Sequence, residues 1–190
     1  METLLQPTDV FLTRGNSWIS RSIRFFTRRI GEPRTNANHT GIVVVGGPIR
    51  EAIVVEALST VKKHPLASRY VGKKGTQVAV YRPLNLAETE KQVIVAAAEG
   101  YVGRSYGWFQ LVGHLADWVL QGAYVFRRLT GSDRYPICSW VVAHAFAKAG
   151  KNFGVPPGAA SPDDIHDFVE ENGDVYAKIR GFEPIPTVDD

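Results

Sequence analysis

The chain carries one cysteine, Cys138, in the stretch Tyr135-Pro136-Ile137-Cys138-Ser139-Trp140-Val141-Val142-Ala143-His144-Ala145-Phe146-Ala147-Lys148-Ala149-Gly150. Pro136 disfavours helix at Tyr135. After it, Val141, Val142, Ala145, Phe146 and Ala149 recur with a helical period, and Gly150 stands where a C-cap glycine is expected. Cys138 therefore falls in the first turn of a buried helix. The unpaired N–H groups and positive dipole end found there favour a thiolate, the form of cysteine that attacks carbonyls. The competing reading is packing, because free cysteine is among the most buried residue types.

A nucleophilic thiol needs a base and a group to orient it, and a second stretch offers both. His39-Thr40 leads into Gly41-Ile42-Val43-Val44-Val45, a buried strand, and Gly46-Gly47-Pro48 gives a turn signal. Ile53-Val54-Val55-Glu56-Ala57-Leu58 then returns as the second strand of an antiparallel hairpin. A turn centred between Gly47 and Pro48 sets His39 directly opposite Glu56, with Cβ atoms about 5 Å apart. A register slip of two keeps them on one face as diagonal neighbours, and a slip of one parts them. An imidazole opposed by a carboxylate is the arrangement that orients and charges a general base. A solvated surface pair has the same residue types. With Cys138, these residues have the logic of a cysteine hydrolase, in which amides at the helix start, that of Cys138 included, hold the oxyanion.

The elements that must position this group can be read along the chain. Asp9-Val10-Phe11-Leu12 is a short apolar strand. Ser17 to Ile30 is a basic amphipathic helix with Ile19, Ile23, Phe26 and Ile30 on one face, suited to core packing or to an anionic membrane surface. Val61 to Lys74 is mixed and basic, broken by Pro65 and Gly72. Thr76 to Arg82 alternates as a half-buried strand ending before Pro83. Leu86 to Val102 is a helix with Val93, Ala96 and Ala97 inward. Gly103-Arg104-Ser105-Tyr106-Gly107 is a turn. The hydrophobic segment at about 108–129 reads as a buried helical pair, an apolar flap over the site, or a shallow membrane-contact surface. Ser161-Pro162-Asp163-Asp164 caps a short helix through Glu170, Val175 to Ile179 is a closing strand, and the tail from Pro184 frays.

The length of 190 residues fits a single domain spanning 1–190 with ample chain for a core. One cysteine excludes an internal disulfide, and with five scattered histidines it argues against a structural zinc site. No metal and no cofactor is expected. The first residues, Met1-Glu2-Thr3-Leu4-Leu5, lack a signal-peptide pattern and no run is long enough to span a bilayer, so the cytoplasm is the expected compartment. A net charge of +3 is too small to imply a nucleic-acid partner.

Asp9-Val10-Phe11-Leu12, His39-Thr40-Gly41-Ile42-Val43-Val44, Val54-Val55-Glu56-Ala57, Gly103-Arg104-Ser105-Tyr106 and Ile137-Cys138-Ser139-Trp140-Val141-Val142 occur in an order that resembles a known family. It is the circularly permuted, YiiX-like branch of the NlpC-type papain-like cysteine peptidases and amidases, in which the histidine precedes the cysteine. The resemblance runs from about Asp9 to Ile179. It implies an α+β fold, with a small antiparallel sheet packed against the helix that carries the cysteine. It implies Cys138 as nucleophile, His39 as base and Glu56 as the polar third member, where many unpermuted relatives carry histidine, asparagine or glutamine. Tyr106 and Ser139 match positions near the substrate. His64, His114, His144 and His166 match nothing and read as structural or surface residues. The expected function is thiol-dependent hydrolysis of an amide in a peptide, an amino-acid amide or a peptidoglycan-like fragment. The alternatives are a lipid-directed acyl hydrolase or acyltransferase with weak membrane-surface contact, and a non-catalytic binding module on the same fold.

Overall fold

The computed structural model describes residues 2–15, 36–105 and 138–187. The basic stretch at 17–30, Tyr106 and the hydrophobic segment at 108–129 lie outside the described residues. In order, the elements are β1 (Leu4–Leu5), β2 (Val10–Gly15), β3 (His39–Val45), β4 (Gly47–Pro48), β5 (Ile53–Ala57), β6 (Val61–Pro65), α1 (Ala67–Tyr70), β7 (Thr76–Pro83), α2 (Glu88–Gly100), α3 (Cys138–Lys148), α4 (Pro162–Glu171) and β8 (Tyr176–Glu183). A six-stranded antiparallel sheet in the order β6-β5-β3-β2-β7-β8 organises them, and β1 pairs separately with β4.

Alternation along the strands separates two cores. Val10, Leu12, Ile42, Val44, Val55, Ala57, Ala79 and Tyr81 face the helices α2, α3 and α4. Phe11, Val43, Val54, Val78 and Val80 face the other way, toward Leu66, Tyr70 and Ile185. The α+β class and the antiparallel sheet packed on the cysteine-bearing helix are as expected from the sequence. The sheet is larger than expected, because one strand was not legible in the sequence. Val61–Pro65 does not alternate and ends in proline, yet it is the edge strand β6, where a missing N–H is tolerated. The tail is not frayed through Thr187: Ile185 is 2% exposed and bridges Val71. Arg50 also donates to the carbonyls of Pro186 and Thr187 at 3.0 and 2.9 Å.

The hairpin register also differs from the direct opposition of His39 and Glu56. Ile42 pairs with Val55 and Val43 with Val54, which sets Glu56 level with Gly41 and leaves His39 its diagonal neighbour on the same face. The reason is that Gly47–Pro48 is not the tip of a tight turn. It forms β4 against Leu4–Leu5, the chain reverses over Pro48–Ala52, and a bulge lies between Val43 and Val45. In α2 the buried residues are Ile94 and Ala98, and Ala97 packs partly buried against the core as expected, whereas Val93, at 42% exposure, and Ala96 face outward.

Helix α3 carries apolar residues nearly all round: Trp140, Val141, Val142, Ala143, Ala145 and Phe146 are all buried. It packs between β3 and α2, the environment such a sequence needs. Gly150 takes a φ of +71°, its N–H donates to the Ala147 carbonyl at 3.0 Å, and Lys151 N–H donates to the Phe146 carbonyl at 3.1 Å. This is a Schellman end, which a glycine accommodates without strain. Ser161 caps α4: its Oγ accepts from Asp164 N–H at 3.1 Å, and the Asp164 carboxylate accepts from Ser161 N–H at 3.0 Å.

Candidate active site

Cys138 is the first described residue of α3 and is buried. The body of α3 lies on the Ile42 and Val55 face, whereas His39 and Glu56 fall on the opposite face, in step with Val43 and Val54. The two meet because His39 is the first residue of β3, at the end of the sheet. A histidine farther along the strand would be screened from the helix by the sheet itself. Here Cys138 acts electrostatically on the His39 ring.

Local packing holds the ring in place. Phe11 pairs with Gly41 across β2 and β3, and its ring covers the spot where a side chain at 41 would project. A Cβ there would meet Phe11 Cε1 at 2.5 Å, so only glycine admits this ring. Phe11 in turn touches His39 at a centroid distance of 6.4 Å and Tyr70 edge-on at 5.7 Å. Asn38 anchors the preceding backbone, donating its N–H to the Thr13 carbonyl at 3.0 Å and accepting from Gly15 N–H at 3.3 Å.

Glu56 is fully buried, with 0% side-chain exposure, and its carboxylate is the hub of the site. Oε2 accepts from His39 Nε2 and from the Tyr70 hydroxyl, the latter at 2.5 Å. Oε1 accepts from His64 Nε2 at 2.8 Å and has Arg69 Nε at 3.8 Å. Burial alone opposes the charge, but His39, with the bonds from His64 and Tyr70, overcomes it and holds Glu56 well below the usual carboxylate range. Desolvation likewise opposes a charged His39. Its interactions with Cys138 and with the Glu56 carboxylate outweigh it and push the imidazole up to about 10. Burial and the neighbouring carboxylate raise Tyr70, which therefore remains a hydrogen-bond donor.

Of the residues singled out in the sequence, the structure brings together Cys138, His39 and Glu56. Ser139 is fully buried in α3, and its hydroxyl has no hydrogen-bond partner among the described residues. Tyr106 lies outside the described residues. His144 stacks on Trp140 at a centroid distance of 3.9 Å. His64, Arg69 and Tyr70 were missed. A signal for His64 existed: a hairpin across Leu58-Ser59-Thr60 sets Lys62 opposite Glu56 and His64 diagonal to it, as observed. Tyr70 had none, since it reaches Glu56 from a four-residue helix.

Asp163, His166 and Asp167 on α4 bring ligand-type atoms within 4.8 Å of one another. Two carboxylates and an imidazole suit a divalent cation in donor chemistry. These groups also have structural contacts: Asp163 Oδ1 accepts from Asn36 N–H at 2.9 Å, and His166 lies against the rings of Tyr81 and Phe182. The group shares no residue with the Cys138 site.

No family profile and no curated protein matches the sequence. Among solved structures, the fold is similar to that of the metalloprotein YiiX from Escherichia coli O157:H7, at a TM-score of 0.54 and 20% identity. The match covers 95% of this chain and 91% of that one. The chain thus has a YiiX-like α+β fold. No helix among the described residues is long and apolar enough to cross a membrane.

Proposed function

We propose that this protein is a thiol-dependent hydrolase of the permuted papain-like type, acting on an amide of a peptide, amino-acid amide or peptidoglycan-like fragment. The observation that carries the reading is a histidine bonded to a fully buried carboxylate and raised by its interactions with both that carboxylate and Cys138 of α3. The bland alternative, a cysteine that only packs, gives no reason to bury Glu56 with a histidine partner, since isolated buried charge is costly. No observation among the described residues favours the lipid-directed reading, whose support lies in 17–30 and 108–129.

With Nε2 of His39 committed to Glu56, Nδ1 is the nitrogen left to the thiol. Cys138 Sγ attacks the substrate carbonyl carbon, forming the C–S bond, and the carbonyl oxygen becomes an oxyanion held by backbone amides at Cys138. His39 gives its proton to the amide nitrogen, the C–N bond breaks, and the amine leaves. Water then attacks the thioester while His39 takes its proton. The C–S bond breaks, the acid is released, and the thiolate–imidazolium pair is restored. Glu56 keeps the imidazole in one orientation throughout. No step runs through Asp163, His166 and Asp167.

The test is a panel of amino-acid amides and short peptide amides, with long-chain acyl esters in anionic vesicles as the lipid arm. The account expects amine release that Cys138→Ser abolishes, and an acyl adduct on Cys138 by intact mass after acid quench. Release unaffected by Cys138→Ser would contradict it. Turnover confined to the vesicle arm would move the substrate to lipids.

A further inference from the structure

Glu56 holds two histidines, and the chemistry above uses only one. His64 reaches it from β6, with Nε2 2.8 Å from Oε1. The other ring nitrogen, Nδ1, stands 2.9 Å from the Pro65 carbonyl oxygen and 3.1 Å from Ser68 Oγ. The Ser68 hydroxyl donates its own proton to that same carbonyl at 2.7 Å, so it offers His64 a lone pair. A carbonyl and a carboxylate cannot donate. Each nitrogen of His64 therefore faces acceptors, and a ring with acceptors on both sides carries both protons. His64 is an imidazolium, and its bond to Glu56 raises its proton affinity, consistent with that geometry.

We propose that His64 is a positioning residue of the thiol site: as an imidazolium it fixes Glu56 Oε1, so that Oε2 stays on Nε2 of His39. The proposal rests on the Cys138–His39–Glu56 reading. Glu56 carries three donors arranged so that each oxygen has a fixed duty, with His39 and Tyr70 on Oε2 and His64 on Oε1. Without His64, the carboxylate can rotate toward Arg69, whose Nε is already 3.8 Å from Oε1. The charged and titratable groups facing His64 are Glu56 from β5, Arg69 from α1 and Lys62 on its own strand, with Tyr70 behind the carboxylate. Arg69 opposes the charge on His64 and Glu56 sustains it. Raising the pH through the titration of His64 removes the Nδ1 proton that ties it to Pro65. The hold on Glu56 then slackens, with the thiol and His39 unchanged in composition.

The test combines histidine proton NMR with iodoacetamide labelling of Cys138, which as the only cysteine reports one sulfur. Wild type, His64→Ala, His64→Gln and His39→Ala are compared from about pH 5 to 10, a range set by the ordinary and raised histidine values. His64→Ala is expected to slow labelling about tenfold, as loss of an orienting partner commonly does. His64→Gln retains a donor for Oε1 and should recover most of that loss, but without the alkaline step that His64 gives the wild type. The His64 resonance should titrate above the ordinary histidine value, and the His39 resonance should move in both His64 variants. Fast wild-type labelling that His64→Ala leaves unchanged at every pH, with His39 unmoved, would overturn the role of His64 alone. Wild-type labelling no faster than His39→Ala would remove the thiol site itself, and the proposal with it. Should His64→Ala fail to fold, the wild-type titration and His64→Gln still decide: an ordinary His64 titration contradicts the imidazolium.

Discussion

Two clusters in this fold bring together a histidine, a carboxylate and a tyrosine hydroxyl, and they end in opposite states. In the first, His39, Glu56 and Tyr70 converge from β3, β5 and α1, and the carboxylate is wholly buried. In the second, His166, Asp167 and Glu170 follow one another along α4, joined by Tyr81 and Lys178, and Glu170 retains 35% exposure. Desolvation acts on both imidazoles. At His166 it prevails and lowers the proton affinity, because the carboxylates stand 3.5 and 3.8 Å away and Glu170 is shared with Lys178. At His39 the interactions with Cys138 and Glu56 prevail. The same residue types make a charged base or a neutral packing histidine according to whether a buried carboxylate is committed to the ring.

The sharpest break of this contrast is catalytic. His39→Ala should lower turnover by about 10²–10⁴, the range for a positioned acid–base group. His166→Ala, measured per folded molecule on the same amide substrate, should leave turnover within about twofold of wild type, because it touches none of the reacting groups. Equal losses would erase the distinction.

Stability comes next. Glu56→Ala removes the centre of a buried charge network and should destabilise by about 3–5 kcal/mol in chemical denaturation. Glu170→Ala loses partly exposed pairs and should stay within about 1 kcal/mol. The pH dependence follows the same division. Glu56 is depressed in the fold, so its contribution is full above the ordinary carboxylate value and is lost as acid approaches the lowered one. His39 is raised, so its contribution is full below pH 6.5 and lost as pH rises through about 10. For His166, which is lowered, stability is lost as pH falls through its folded value. Unfolding curves from pH 3 to 10 on wild type and Glu56→Gln should show the acid limb shrink in the variant.

The smaller effects test the supports. Gly41→Ala pushes a Cβ into Phe11 and should cost about 1–3 kcal/mol, with slower Cys138 labelling because Phe11 packs against His39. Ser161→Ala removes the α4 cap, costs about 1 kcal/mol in a thermal melt, and should leave labelling unchanged.

The difference between the clusters also explains what the sequence disclosed. Local features were legible: the helix that carries Cys138, its Gly150 end and the Ser161 cap each depend on a few adjacent residues. His39 and Glu56 were placed on one face because that survives a register error of two, and such an error was made at Gly47–Pro48, which the distant Leu4–Leu5 recruits into a strand. His64 was hidden by a strand that neither alternates nor avoids proline. Tyr70 and Arg69 were hidden because a four-residue helix leaves no periodic trace. Long-range partners set the charge state of His39, and no short window contains them.

The central claim is that Cys138 and His39 act as one activated pair, and its most direct measurement is the pH dependence of iodoacetamide alkylation in wild type and His39→Ala. The account predicts rapid labelling of the native protein at neutral and mildly acidic pH, reduced to the rate of an ordinary thiol in the variant. Identical profiles in the two proteins, rising only in alkali, would make Cys138 a packing residue and contradict the enzyme reading.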